Sequence, residues 1–485
     1  MVISCNLSAH SRIFMKANRN IQINKIEWNL LLLIGSFLVF AMNQLPFLLD
    51  MRPIMYDEPW YLNPAYNLLH GDGLRNTLVG SGGNVNFVAP VLMAGTMLIF
   101  GESLLVVRLL AVGCGFIGIW VLHLILNEVQ ASNWTRILTL GMFLSISLIN
   151  SVFRYVRPEF AVALFFLIGM LFTLRYNRTH SWLDMLLLCV SVYLASCSHP
   201  YSLLFFAYVG IYMLIDCLQK REYCRIYQLL LLLVSAMLVI ISLFVVNNYA
   251  NPNAAINSIL GRLSFSNVQI AMCVSMMHVF IKHGVYTIPF LLFNIYAIVK
   301  HTNIRWLAII NILFIFTFPI IFSSDLSMVG NSVLYFSLVS IILFAFCGIL
   351  EKQLSVRKRK MFLILCVVFC MVNFAISTTF NYLKRYEKCN SILEEDIDVL
   401  IPDNATVFGP IRFWPFKMNT NYFCDHNEKE MIPSEFDYLL FNSVDELLYQ
   451  NVPIVQGVKT SMDKYELIYT KKTKQYGLVT IWKHK

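Results

Sequence analysis

The chain has 485 residues, of which 58% are hydrophobic and only 13% are charged. A soluble globular protein of this length cannot bury so large an apolar fraction, so the composition indicates an integral membrane protein. The formal net charge of +9 does not indicate nucleic-acid binding. Its basic residues lie in short loops between apolar segments, such as EKQLSVRKRK at 351–360, and the membrane topology accounts for them.

The apolar segments predict about eleven transmembrane helices, because a spanning helix needs roughly 17 to 25 mainly apolar residues. The first segment is expected to be an uncleaved signal anchor, since it is too long for a cleaved signal peptide and lacks a small-residue cleavage pattern. The expected fold is a polytopic α-helical membrane protein. Its predicted spans lie at 28–49, 104–126, 137–153, 160–174, 183–198, 201–216, 227–246, 284–299, 306–322, 332–350 and 361–378.

The segment FVAPVLMAGTMLIF at 87–100 is too short to span and is predicted to lie beside the membrane. With this segment left out, Lys and Arg are concentrated in the loops on the side where the chain starts, as the positive-inside rule requires. The N-terminal tail, 1–27, is then cytoplasmic. The transmembrane domain is 28–378, and its first external loop is 50–103.

An odd number of spans places the polar tail, 379–485, outside the membrane. The sequence NSILEEDIDVLIP predicts a helix that ends before Pro402. Strands are predicted at ATVF and FDYLLF, and the alternating runs YELIYT and YGLVTIW predict a hairpin that turns at 471–476. The tail is therefore expected to form a small external α/β domain. Its two cysteines, Cys389 and Cys424, either form a disulfide or stay reduced.

Two adjacent carboxylates, Asp57 and Glu58, follow the first predicted span in MYDEPWYLNPAYNLLHGDGLRNT. A residue before proline is disfavoured in the helical region, so a helix is expected from Pro59 to about Leu69. One carboxylate can cap this helix and meet its positive end, and that role suits Glu58 better. The second carboxylate, Asp57, stands beside aromatic residues at the membrane surface and is a candidate functional group.

This loop resembles the first external loop of membrane glycosyltransferases with the GT-C fold, in the branch of protein O-mannosyltransferases and lipid A aminoarabinose transferases. The resemblance rests on the Asp-Glu pair, on the helix ending in NLLHGDGL, and on FVAPVLMAGTMLIFGESLLVVRLLAV, and it covers 28–220. It implies that Asp57 is the catalytic base and that the donor is a polyprenyl-phosphate sugar. Glu159 in RYVRPE and Arg108 in GESLLVVR match further family positions. The candidate catalytic residues are Asp57, Glu58 and Glu159.

The sequence departs from the family pattern at Val88-Ala89-Pro90, where relatives often carry a lysine or histidine that can bind the donor phosphate. Another cation must then bind the phosphate. Arg154 and Arg157 can bind it, or can instead anchor the ends of spans at the membrane surface. The external candidates for the phosphate are Arg75, Arg108, Arg154 and Arg157.

Two further polar residues have alternative readings. His199, in the turn SHPY, can donate to a sugar or an acceptor, or can be a turn residue satisfied by the backbone. Glu159 can be a first-turn charge that meets the helix dipole. A divalent metal ion held by Asp57 and Glu159 is left open, because some GT-C enzymes bind metal and others do not.

The predicted reaction needs a carboxylate that accepts the proton of an acceptor hydroxyl and positive charge that stabilises the departing phosphate. The sequence contains no Walker-type phosphate loop and no strand-turn-helix GxGxxG, so it gives no sign of a nucleotide donor. The expected protein is an inverting hexosyl- or pentosyltransferase in a bacterial inner membrane. Its expected partners are a polyprenyl-phosphate sugar, membrane lipids and a lipid, glycan or protein acceptor, without nucleic acid.

Two other functions remain open from the sequence. A transporter would show repeated halves or charges near the middle of the spans, whereas nearly every ionisable residue here lies at a predicted span end. A non-catalytic component of envelope polysaccharide assembly or export would keep the spans but would not need Asp57.

Overall fold

The computed structural model describes residues 27–48, 54–55, 57–78, 87–199, 202–250, 283–300, 304–321, 328–346, 356–383, 390–424, 433, 435–445 and 453–485. The predicted cytoplasmic tail lies almost entirely outside these residues. The first helix, α1, covers 27–44. The helices that follow, as far as residue 250, are α2 (Asp57–Leu69), α3 (Val88–Phe100), α4 (Leu104–Glu128), α5 (Asn133–Ser145), α6 (Ser147–Val152), α7 (Glu159–Thr179), α8 (Trp182–Ser198), α9 (Leu203–Lys220) and α10 (Ile226–Ala250).

The remaining helices are α11 (Gly284–Lys300), α12 (Arg305–Ile321), α13 (Met328–Phe346), α14 (Val356–Leu383), α15 (Asn390–Leu400) and α16 (Pro453–Thr460). A helix lies over every segment that the sequence predicts to span the membrane. Four helical segments in the described part of the chain are long and apolar enough to cross a membrane: Leu104–Glu128, Glu159–Thr179, Ile226–Leu243 and Lys360–Thr379. The chain is a multi-pass membrane protein, and the total of about eleven spans stays a prediction.

The predicted span 137–153 is broken in the structure. Ile146 adopts an extended conformation with φ −74° and ψ 117°, which separates α5 from α6. The side-chain amide of Asn150 donates to the carbonyls of Leu144 at 2.7 Å and of Ile146 at 3.2 Å. The Asn150 N–H also donates to the Ile146 carbonyl at 3.1 Å. Asn150 therefore stabilises the start of α6 and satisfies the Leu144 carbonyl beside the break, which a count of apolar residues does not reveal.

A buried polar network joins four helices inside the bundle. Tyr208 of α9 donates to Oδ1 of Asn311 in α12 at 3.0 Å. The Asn311 amide donates to Asn294 of α11 and to Ser340 of α13, both at 3.0 Å. Asn294, Asn311 and Ser340 are fully buried, so the network fixes how these helices pack.

The C-terminal part of the chain contains a five-stranded sheet in the order β2-β1-β3-β5-β4. Strand β1 is parallel to both its neighbours, whereas β3, β5 and β4 pair antiparallel. A strand lies in each predicted segment. The sequence reading missed β2, which has only three residues. The strands are β1 (Thr406–Phe408), β2 (Asn421–Phe423), β3 (Tyr438–Asn442), β4 (Tyr465–Thr473) and β5 (Gly477–His484).

The C-terminal residues pack against the first loop of the chain. The Tyr66 hydroxyl of α2 donates to Oδ1 of Asn419 at 2.9 Å. The thiol of Cys424 donates to the carbonyl of Leu78 at 2.9 Å. These contacts bring the described residues of the C-terminal region together with those of 54–78, so the two lie on one side of the bundle. Cys389 lies outside the described residues, and its disulfide stays a prediction.

Candidate active site

Helix α2 begins at Asp57, two residues earlier than the sequence predicts. The Glu58 side chain reaches back and accepts from the N–H of Met55 at 2.8 Å, while the Glu58 N–H donates to the carbonyl of Met55 at 3.1 Å. This reciprocal pairing resembles a capping box. Pro59 is tolerated inside the first turn, because the N–H groups there have no helical acceptor.

Glu58 forms a buried ion pair with Arg108 of α4. Arg108 donates from Nε to Oε1 at 2.9 Å and from Nη2 to Oε2 at 2.7 Å, and its Nη1 donates to the carbonyl of Leu48 at 3.0 Å. The N–H of Val156 also donates to Glu58, at 3.0 Å. The side chains of Glu58 and Arg108 are 0% and 3% exposed. This geometry favours a structural role for both residues over contact with a substrate.

Arg157 bridges Asp57 and Glu159. Its Nη2 donates to Oε1 of Glu159 at 2.8 Å, and its Nη1 lies 3.5 Å from Oδ2 of Asp57. The side chain of Asp57 is 49% exposed, whereas that of Glu159 is 7% exposed. Of the candidate carboxylates, Asp57 is therefore the one that a substrate can reach most readily.

The position of this bridge follows from the local sequence. Pro158 precedes α7 with φ −59°, which suits the start of a helix. Glu159 is then the first residue of α7, where a carboxylate meets the positive helix end. The Glu159 carboxylate, and Asp57 more weakly, raise the pKa of Arg157, so the guanidinium stays charged.

Two buried polar atoms of the bridge have no hydrogen-bond partner among the described residues. They are Nε of Arg157 and Oε2 of Glu159. An unsatisfied buried polar group costs about 1 to 3 kcal/mol. Both atoms are shielded from solvent, so the bridge is a buried polar group on which the half-exposed Asp57 rests.

Three more residues interact with the bridge. His199, 5% exposed at the end of α8, and Tyr335 of α13 both interact electrostatically with Glu159. Tyr61 interacts with Arg157. Tyr61 and Tyr335 were missed by the sequence reading. Tyr61 lies four residues after Asp57, a helical spacing that could have indicated it, whereas Tyr335 is too distant in the chain to give such a signal.

The other two arginine candidates lie apart from the bridge. Arg154 is buried and donates to Oε1 of Gln44 at 2.8 Å and to the carbonyl of Asn43 at 2.9 Å, which ties it to the end of α1. Arg75 is exposed and forms no ion pair within the described residues. Its carbonyl accepts from the amide of Asn67 at 2.7 Å, so its backbone is fixed to α2 while its side chain stays accessible.

The bridge does not fit a divalent cation between Asp57 and Glu159. The Arg157 guanidinium contacts both carboxylates, and a cation placed between them would meet its positive charge. Within the described part of the chain no three or more His, Cys, Asp or Glu residues are grouped so that they could hold a metal ion.

Solved structures share this architecture. A crystal structure of ArnT from Cupriavidus metallidurans in the apo state matches 95% of this chain and 98% of its own chain, with a TM-score of 0.60 and 11% identity. The chain has a GT-C fold. A second ArnT crystal structure, bound to undecaprenyl phosphate, matches 94% of this chain and 98% of its own, with a TM-score of 0.58 and 11% identity.

A third GT-C structure is larger. A mutant form of the arabinofuranosyltransferase AftD from Mycobacteria matches 94% of this chain with a TM-score of 0.52 and 11% identity, and the match covers 41% of the AftD chain. Neither protein-family profiles nor the sequences of curated proteins match this chain. Identities this low establish the GT-C fold alone, so the roles of individual residues must be argued from geometry.

Proposed function

We propose that this GT-C protein is an inverting glycosyltransferase that moves a sugar from a polyprenyl-phosphate donor to a lipid, glycan or protein acceptor on the external side of a bacterial inner membrane. The observation that carries the proposal is the bridge of Arg157 to a half-exposed Asp57 and a buried Glu159. The likeness to ArnT, one structure of which holds undecaprenyl phosphate, supports a donor of this class.

Asp57 is the general base of the proposed reaction. The acceptor hydroxyl attacks the anomeric carbon of the sugar, its proton passes to the Asp57 carboxylate, and the bond to the lipid phosphate breaks on the opposite face. Arg157 holds Asp57 in place by an ion pair at 3.5 Å. The expected contribution of a positioned base is about a hundred- to ten-thousand-fold in rate.

The charge of the bridge indicates which part of the donor it faces. Two carboxylates and one guanidinium leave one net negative charge, which repels a phosphate and stabilises positive charge that develops on the sugar ring. Glu159 contributes to this negative charge from its buried position. The exposed Arg75 is the better candidate for the donor phosphate, because no ion pair within the described residues neutralises it.

The test measures sugar transfer by the purified full chain in proteoliposomes supplied with polyprenyl-phosphate sugars. The acceptors are first identified by mass analysis of envelope glycans and lipids from a deletion strain. Asp57→Asn should lower the rate by about a hundredfold or more. The matched control is Asp72→Asn, which makes the same change at an exposed position of the same loop and should keep the wild-type rate. Full activity in Asp57→Asn would refute the catalytic role. A wild-type chain that transfers no sugar would instead favour an assembly component or a transporter.

A further inference from the structure

Tyr476 connects the C-terminal sheet to the segment that enters α2. It lies in the turn between β4 and β5, immediately before Gly477, whose φ of +68° closes the turn. The N–H of Tyr476 donates to Oγ1 of Thr473 at 3.0 Å, which orients the turn. The ring is 0% exposed and packs edge-on against Phe413 with centroids 4.9 Å apart.

The Tyr476 hydroxyl makes two buried hydrogen bonds. It accepts from the N–H of Ile54 at 2.9 Å and donates to Oδ1 of Asn390 at 2.9 Å. Ile54 is 1% exposed and Asn390 is 5% exposed. Water therefore has little access to replace either bond, and the hydroxyl fixes the position of Ile54 against α15.

The contact at Ile54 leads directly to the candidate catalytic carboxylate. The next residue, Met55, donates from its N–H to Oε2 of Glu58, and Glu58 is held by Arg108. Asp57 precedes Glu58 and meets Arg157. A shift of Ile54 would thus move the start of α2 and change the distance between Asp57 and Arg157.

We infer that Tyr476 is a positioning residue, through which residues 390–485 hold Asp57 in its reactive place. The inference rests on the proposed function of Asp57 as a base. A displacement of about 1 Å far from the chemistry can lower a rate about a hundredfold. The C-terminal region then completes the active site without touching the substrate.

The test compares two Tyr→Phe variants that each remove a hydroxyl joining the C-terminal region to the first loop. Tyr476→Phe keeps the ring contact with Phe413 but leaves the N–H of Ile54 without its acceptor, so kcat should fall about ten- to hundredfold while the donor KM stays within about twofold. Tyr66→Phe removes the contact with Asn419, away from Ile54, and should keep the wild-type kcat. The unfolding temperature of Tyr476→Phe should fall in either case, because two buried groups lose their partner. A general loss of structure would differ by changing the donor KM as well.

A second measurement reads the loop position without activity. In an Asp57→Cys background, labelling by a membrane-impermeant maleimide should be faster with Tyr476→Phe than with Tyr66→Phe, quantified on the peptide that carries residue 57. Equal labelling rates together with an unchanged kcat in Tyr476→Phe would overturn the inference about Tyr476. If the wild type is active and Asp57→Asn is inactive in the same assay, the proposed role of Asp57 would still stand. Wild-type protein without transfer activity would instead refute the proposed function.

Discussion

Arg108 donates to both carboxylate oxygens of Glu58, from Nε at 2.9 Å and from Nη2 at 2.7 Å, in a site that excludes solvent. The neighbouring Asp57 is half-exposed and contacts Arg157 at 3.5 Å. Two adjacent carboxylates thus differ in environment, because one faces the helix bundle and the other faces the surface. The difference assigns a structural role to Glu58 and leaves Asp57 available for chemistry.

Replacing Glu58 should destabilise the protein. Glu58→Gln leaves the Arg108 charge buried without its counter-ion, and breaking a buried pair costs about 3 to 5 kcal/mol. The expected result is a lower midpoint of thermal unfolding in detergent, followed by tryptophan fluorescence. Glu102→Gln is the control, because Glu102 is 38% exposed and pairs with His70 at the surface, where a pair contributes about 1 kcal/mol or less. Equal midpoints for the two variants would contradict the structural role.

Arg75→Ala should weaken binding of the donor. Loss of a charge-assisted contact to phosphate costs about 1.5 to 3 kcal/mol, which predicts about a ten- to hundredfold higher donor KM with little change in unfolding temperature. Arg178→Ala removes another exposed arginine, 64% exposed and paired with Glu128 at the other end of α7, and should leave the KM unchanged. An unchanged KM in Arg75→Ala would move the phosphate site elsewhere, for example to Arg262 or Lys282, which lie outside the described residues.

Arg157→Lys should lower kcat while keeping the positive charge. Lysine lacks the planar fork with which arginine contacts Asp57 and Glu159 together, so one of the two contacts is lost. We expect kcat at saturating donor to fall to about one tenth of the wild-type value or below. The measurement is sugar transfer at matched expression. Arg175→Lys, where an arginine that is 45% exposed pairs with the buried Asp184, is the control. Wild-type kcat in Arg157→Lys would show that the bridge does not position the base.

Removal of divalent metal should not abolish transfer. The guanidinium between Asp57 and Glu159 supplies the positive charge that a metal ion would otherwise bring to this position. Protein dialysed against a chelator is expected to keep its activity within about twofold, a small change on the scale of transition-state effects. Loss of activity that Mg²⁺ or Mn²⁺ restores would instead require a metal site elsewhere in the chain.

Reporters fused after Lys485 and within 72–84 should both report the external compartment. The contact of Tyr66 with Asn419 places the two residues on the same side of the bundle, and the distribution of Lys and Arg predicts that this side is external. The measurement is the activity of a compartment-specific enzyme fused at each point. Reporters on opposite sides would contradict the packing, and two cytoplasmic reporters would reverse the orientation.

The sequence predicts the parts of this protein that depend on local pattern. Apolar runs mark the helices because burial in a bilayer requires them, and the alternation in 465–482 marks the final hairpin. The start of α2 at Asp57 is not predictable from Pro59, because the Glu58 side chain stabilises the two additional residues through its bond to Met55. The pairing of Glu58 with Arg108 joins residues 50 positions apart, so no local pattern reveals that this arginine is already occupied.

The network of Asn294, Asn311 and Ser340 has a consequence for biogenesis. Carboxamide side chains are costly in lipid until they find partners on neighbouring helices. Asn294 and Asn311 reach the membrane on α11 and α12 before α13 delivers Ser340. Because Asn311 also pairs with Asn294 and with Tyr208 of α9, α11 and α12 should insert as a pair beside α9, and α13 should then complete the network through Ser340.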